Sequence, residues 1–264
     1  MVHEIIQTYY RNTQILDKLA IFFNNNLLQH TDSLNYLLQR GISKKAIEEF
    51  RIGYDINALS LQTFIEKENI SLESLSEIGV LTKNEDNSYY DRFADRIIFP
   101  ILDIKGLVAS FSGRVWQESD ERAKYINGSL SSTYQKSLTL FGLFQALYDI
   151  QKNNLVLVTE GNVDVITCHV KDIKIAVATC GSAFTKEHFQ LLKMFVNRFI
   201  FCFDNDESGR KSTEKVKGLL KDEKTIKVGY LNIEGVKDLD LFIQVNGAAK
   251  LKEIIKEFSN ELVF

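Results

Sequence analysis

Three short stretches of this sequence place carboxylates where an apolar run ends. Glu160-Gly161-Asn162-Val163-Asp164 follows the run at 155–159, and Asp204-Asn205-Asp206-Glu207-Ser208-Gly209 follows the run at 199–203. Asp238 and Asp240 stand after a third run, at 226–231. Read as parallel strands, these runs deliver their acids to the carboxyl edge of one sheet, where ligands bind in open α/β folds. Asp204 and Asp206 are two apart, and residues i and i+2 of extended backbone face the same way. Like charges so placed repel unless a cation lies between them, and hard oxygen donors suit Mg²⁺ or Mn²⁺. Gly161 is expected to turn the chain sharply from strand into helix, bringing Asp164 near Glu160 on the first helical turn. An isolated Asp-x-Asp is usually a solvated turn, but three acidic groups, each behind an apolar run, are not explained that way.

Such a site suits phosphoryl chemistry, because metals bridging a triphosphate and a hydroxyl lower the hydroxyl pKa and neutralise charge on the attacked phosphorus. Glu160 then serves as a base or as a further ligand, and its spacing leaves both roles open.

The elements that must hold these acids fall into two parts. Up to about residue 80 the periodicity is helical, through 5–28, 33–40 and 43–50, with Gly41 and Gly53 as stops and Ser43 as an N-cap. Between 89 and 114 two short apolar stretches, 97–102 and 107–111, flank Asp103-Ile104-Lys105-Gly106 and predict an antiparallel hairpin. Pro100, the single proline, argues for an edge position or a strand end there. Helical spacing returns at 140–150. After Asn153, strand-like runs at 155–159, 174–178, 199–203 and 226–231 alternate with helical segments, which predicts a parallel sheet with helices on both faces. The expected fold class is therefore α/β, an α+β subdomain over 1–153 followed by the parallel-sheet subdomain over 154–264.

The 264 residues are long enough for a sizeable core, and 45% hydrophobic with 25% charged residues is an ordinary globular composition. The apolar runs are too short to span a bilayer and the N-terminus lacks a signal pattern, so a cytoplasmic protein without membrane contact is expected. Cys168, Cys180 and Cys202 are odd in number and isolated, so buried reduced thiols are expected, with neither a disulfide framework nor zinc. A net charge of -3 argues against a surface coated in basic residues, although a cationic track beside an anionic metal site can cancel in the total.

Glu160-Gly161-x-x-Asp164, Asp204-x-Asp206-x-x-Gly209 and Lys237-Asp238-x-Asp240 resemble the Toprim domain shared by primases, topoisomerases and some nucleases. Tyr90-Asp91-Arg92-Phe93, Arg96-Ile97-Ile98-Phe99-Pro100-Ile101 and Phe111-Ser112-Gly113-Arg114-Val115 narrow the resemblance to the core of bacterial DnaG-type primases. So do Lys124-Tyr125-Ile126-Asn127, Gln135-Lys136 and Leu140-Phe141-Gly142-Leu143, with Tyr36-Leu37-Leu38-Gln39-Arg40-Gly41 and Phe50-Arg51-Ile52-Gly53-Tyr54 further upstream. The resemblance covers nearly the whole chain. It departs at Ser208, where alanine is common, and at Asn162, where an aromatic is common, and neither departure removes a carboxylate.

The resemblance implies an enzyme that makes short RNA primers from ribonucleoside triphosphates on a single-stranded DNA template at the replication fork. Glu160, Asp164, Asp204, Asp206, Asp238 and Asp240 would form its Mg²⁺ or Mn²⁺ site, with more than one ion, and Glu160, Asp204 and Asp206 would be catalytic. Arg92, Arg114, Lys124, Tyr125, Asn127 and Lys136 would contact nucleotide, template or the primer–DNA hybrid, with Tyr125 offering a stacking face. Their basic segment is interspersed with Asp95, Asp103, Glu118, Asp120 and Glu121, so a continuous patch is a prediction. Related proteins carry a zinc domain and a domain that binds the replicative helicase. Neither has a counterpart in this sequence, which is expected to be a core fragment, with a compact primase from a mobile element as the alternative. A Toprim nuclease, a non-catalytic module for single-stranded DNA or replisome docking, and a topoisomerase are the competing classes. The segment between Arg92 and Lys136 speaks against the first. The clustered negative charge speaks against the second, and the absence of a strand-cleaving tyrosine domain against the third.

Overall fold

Helix α1, Val2–Gln29, carries Leu16, Leu19, Ala20, Phe23 and Leu27 at three- and four-residue spacing, and this stripe is completely buried. It packs against β1, Gly53–Asp55, where a Cβ on Gly53 would stand 2.5 Å from that of Phe23. Gly53 therefore opens a strand that a larger residue would push off the helix, which corrects its reading as a helix stop. Three residues are too few to interrupt a helical period visibly, so β1 is hidden in the sequence. Helix α2, Thr31–Gln39, does end before Gly41, which has φ +84°. Ser43 caps α3, Lys44–Glu49, as expected, its hydroxyl accepting from the Ala46 amide at 3.2 Å.

The computed structural model describes residues 2–117, 119–181, 183–233 and 235–261. They divide into two compact units, 1–135 and 136–264. In the first, β4 (Arg96–Leu102) and β5 (Val108–Arg114) form the expected hairpin within an antiparallel sheet of order β1-β4-β5-β6, with β6 at Tyr125–Asn127. Strand β4 is thus an inner strand, which corrects the edge reading of Pro100. The proline is tolerated because β1 reaches only as far as Ile98. On the other side Phe111, opposite Pro100, gives its carbonyl to Gly128 on the β6 side. No ladder bond asks for an N–H at Pro100.

In the second unit β7 (Val156–Thr159), β8 (Ala176–Ala178), β9 (Arg198–Phe201) and β10 (Lys227–Tyr230) form the expected parallel sheet, in the order β10-β9-β7-β8. From β7 the chain steps through α7, Asn162–Val170, to β8. It then returns through α8, Lys186–Lys193, to β9 on the other side of β7, and through α9, Glu207–Leu220, to β10. Right-handed crossovers in opposite directions put α7 on one face and α8 and α9 on the other. Helix α10, Leu239–Asn246, packs against α7. Residues 136–153, which the spacing groups with the first part, join this unit: ahead of α6, Leu143–Asn153, Phe141 exchanges two backbone hydrogen bonds with Ala178 of β8. The three cysteines are buried and none is in a disulfide.

Candidate metal and nucleotide site

Neighbouring strands β7 and β9 send the chain to opposite faces of the sheet, so a crevice opens at their carboxyl ends, the topological switch point where open α/β sheets bind ligands. Glu160 follows β7 directly and Asp204 lies three residues beyond β9. The two are close enough that the Asp204 backbone amide and carboxylate act in opposite directions on the Glu160 carboxyl. Gly209 is required here, since a Cβ on it would fall 1.9 Å from the Asp204 carbonyl oxygen.

Three helices begin at this edge, and the acids are placed by their first turns. Asp206 is the N-cap of α9, its Oδ1 accepting from the Gly209 amide at 2.9 Å, and Asp238 caps α10 by accepting from Leu241 at 2.9 Å. The backbone has left the sheet before Asp206, so its cap aims it, rather than strand alternation. At the start of α7 the Asp164 Oδ2 accepts from the Gly161 amide at 3.1 Å. Gly161 has an ordinary extended φ of -101°, which corrects its role: it makes room for Asp164, whose Oδ2 would lie 2.7 Å from a Cβ, rather than turning sharply. Asp164, 5% exposed, also accepts from the Asp240 amide at 2.9 Å, and Asp240, 4% exposed, accepts from the Thr167 hydroxyl at 2.7 Å.

Negative charge accumulates at this edge. Burial, reinforced by the charges of Asp204 and Asp206, pushes Glu160 up to about 7. Burial likewise pushes Asp164 up to about 8, with Asp238, Asp204 and Asp240 adding to the effect against the Asp240 amide, which opposes it. Asp204 and Asn205 also line a depression of about 700 Å³ with Arg210, Lys217 and Tyr230.

The residues expected to contact nucleic acid sit mostly in the first unit. Arg114, 5% exposed, lies close to two rings, its guanidinium carbon 5.3 Å from the Tyr36 centroid and 5.6 Å from that of Tyr125, and it donates to the Tyr36 hydroxyl. Tyr125 is 40% exposed and Lys124 is exposed. Arg92 follows β3, Tyr89–Asp91, which pairs with β2, Leu81–Lys83; it donates to the Thr82 hydroxyl at 3.1 Å and to the Asn127 carbonyl at 3.0 Å, tying that hairpin to β6. Lys136 is half-buried in the second unit, and its carbonyl is hydrogen-bonded to the His188 ring at 3.1 Å. Asp120 pairs with Arg122 at 2.5 Å and Asp103 accepts from Tyr9 at 2.9 Å, while Glu118 lies outside the described residues.

Residues 22–147 match the family described as DNA primase catalytic core, N-terminal domain, and residues 157–243 match the Toprim-like family. The DNA primase of Listeria innocua is 35% identical over 245 residues, covering 92% of this chain and 39% of that protein. The Escherichia coli primase catalytic core superposes with a TM-score of 0.83 at 30% identity, covering 93% of this chain and 79% of that one. The chain belongs to the DNA primase catalytic-core family. A structure of the DnaG primase catalytic domain bound to single-stranded DNA also matches, with a TM-score of 0.85 at 28% identity over 97% of this chain and 82% of that one. This primase-core chain spans about two fifths of the length of the Listeria relative. Among the described residues no helix is long and apolar enough to cross a membrane.

The acidic edge fits the hard divalent cation implied for this family. The carboxylates there are hard oxygen donors, and Glu160 Oε1 is buried with no hydrogen-bond partner. As the side chains stand, no three His, Cys, Asp or Glu among the described residues approach closely enough to share one ion. Spacing alone does not reveal Thr167, Tyr36 or Trp116, whose ring centroid is 5.9 Å from that of Tyr36. For Thr167 a signal exists: a hydroxyl in the otherwise apolar Val165-Ile166-Thr167-Cys168 needs a buried partner.

Proposed function

We propose that this chain holds the nucleotidyl-transfer site of a primase, which joins ribonucleotides into a short RNA on a single-stranded DNA template and releases pyrophosphate. What supports this reading is a buried, unpartnered Glu160 oxygen directly after β7, beside β9 at the switch point, with Asp204, Asp206, Asp164, Asp238 and Asp240 on the segments that follow the neighbouring strands. In this reading Glu160, Asp204 and Asp206 face the reacting groups, while Asp164, Asp238 and Asp240 complete the donor set. Bound there, Mg²⁺ or Mn²⁺ would neutralise phosphate charge and acidify the primer hydroxyl. Glu160 Oε1, buried and without a hydrogen-bond partner, would be the acceptor for that hydroxyl proton. Residues 1–135 would form most of the nucleic-acid face and 136–264 the catalytic unit. Lys124, Arg114 and Lys136 would neutralise phosphates, Tyr125 would stack on a base, and Asn127 and Arg92 would shape β6 beneath them. The single-stranded-DNA-bound relative supports the choice of template, and the protein would work in the cytoplasm at the fork.

The test is incorporation of labelled ribonucleotides on single-stranded DNA bearing an annealed primer, with Mg²⁺ or Mn²⁺. Wild type, Asp204→Ala and Glu160→Ala are compared, and metal-dependent extension lost in both variants is expected. DNA cleavage in place of extension would move the site to the nuclease class, and tight DNA binding with neither activity would mark a docking module.

A further inference from the structure

We infer that Thr167 is a positioning residue of the acidic edge, its hydroxyl fixing Asp240 and, through the Asp240 amide, Asp164. The inference rests on the metal-site reading above. Helix α7 is buried from Asn162 to His169, and Thr167 sits on it with only 8% exposure. A threonine inside a helix ordinarily returns its hydroxyl to a carbonyl one turn back. Thr167 instead donates across to Asp240 Oδ1 on α10, 2.7 Å away and 73 positions later in the chain.

The contact continues inward. The Asp240 amide donates to Asp164 Oδ1 at 2.9 Å, and Asp164 Oδ2 receives the Gly161 amide at 3.1 Å. One hydrogen-bonded path thus joins the entry to α7, its body and the first turn of α10, the helix that Asp238 caps. The choice of a hydroxyl matters. A lysine or arginine at this place would neutralise Asp240 and compete with a cation, whereas a neutral donor orients the carboxylate and leaves its charge available. With donor and acceptor both shielded, water does not replace the hydroxyl if it is removed.

The test is Mn²⁺ affinity of the whole chain without nucleotide, from the loss of the free-ion electron paramagnetic resonance signal. Wild type, Thr167→Val, Thr167→Ser and Glu160→Gln are compared, with circular dichroism on the same samples. Thr167→Val is expected to weaken Mn²⁺ binding by about 10-fold or more, as outer contacts of metal ligands do, while Thr167→Ser restores it. Wild-type affinity in Thr167→Val overturns the inference alone, since Glu160→Gln would still show the loss that the metal reading requires. A wild type that holds no Mn²⁺ overturns both. If Thr167→Val does not fold, Thr167→Cys keeps the size with a weaker donor; intermediate affinity supports the inference and wild-type affinity overturns it.

Discussion

The charged groups of the two units are treated in opposite ways. In the first unit the arginines are held by neutral groups of their own unit, although the Nε of each is buried without a hydrogen-bond partner: Arg92 donates to Thr82 and to the Asn127 carbonyl, Arg96 donates to the Ala123 carbonyl at 2.8 Å, and Arg114 lies against the rings of Tyr36 and Tyr125. In the second unit the acids are oriented by amides and one hydroxyl, none of which carries a compensating charge. Arginines held by carbonyls, hydroxyls and rings of their own unit serve the scaffold, whereas carboxylates oriented by neutral donors are poised for a ligand. The arginine positions that resemble a nucleic-acid contact are therefore partly scaffold, and the carboxylates are where ligand chemistry concentrates.

Glu160→Gln sharpens this contrast most. Ribonucleotide incorporation is expected to fall by about 10²–10⁴-fold, the usual worth of a positioned acid–base group. The thermal midpoint should hold or rise, because one of several like charges is removed. An equal fall in midpoint and activity would make Glu160 as structural as the arginines. Arg114→Ala should do the reverse and cost about 2 kcal/mol of stability in chemical denaturation, through loss of the desolvated contact with Tyr36 and Tyr125. Weakened DNA binding at unchanged stability would break the comparison and return Arg114 to the nucleic-acid face.

The pH dependence follows from the raised carboxyl pKa values. Glu160 at about 7 and Asp164 at about 8 lie above their ordinary 4.5 and 3.8, so the folded chain holds protons that the unfolded chain has released. Their contribution is complete below the ordinary carboxyl range and is lost as pH rises through about 7 to 8. Without divalent metal the thermal midpoint should therefore decline over that window, and millimolar Mg²⁺ should flatten the decline. A residual slope is expected from Asp55 and Asp91 in the first unit, both raised first of all by burial, and Asp55→Asn should remove it. A decline that Mg²⁺ leaves untouched would assign the whole effect to that pair. The smallest change is expected at exposed Lys124. Its replacement by alanine should lessen the salt dependence of single-stranded DNA binding by about 0.7 in log–log slope, the effect of one phosphate contact, with little change in stability.

Much of the second unit was legible in the sequence. Its four strands are short apolar runs of strand length bounded by polar turns, and each acidic group follows one of them, so both the sheet and its functional edge can be read locally. Less of the first unit was legible. Strand β1 is three residues long and exists because α1 and β4 lie on either side of it, and the place of Pro100 depends on where β1 stops. The division of the chain was also displaced, because the Phe141–Ala178 bridge that carries residues 136–153 into the second unit joins segments far apart in sequence.

The sequence by itself determined which residues carry negative charge and that each group leaves the end of a strand, because strand period, helix caps and turn residues act over a few positions. Only the tertiary structure decided that β7 and β9 are neighbours with diverging exits, that Asp164 and Asp240 are oriented through Thr167, and that Arg92 and Arg114 are held within the fold. Those facts depend on contacts between residues tens of positions apart, and the energy of a buried charge is set by whatever partner or solvent surrounds it after folding.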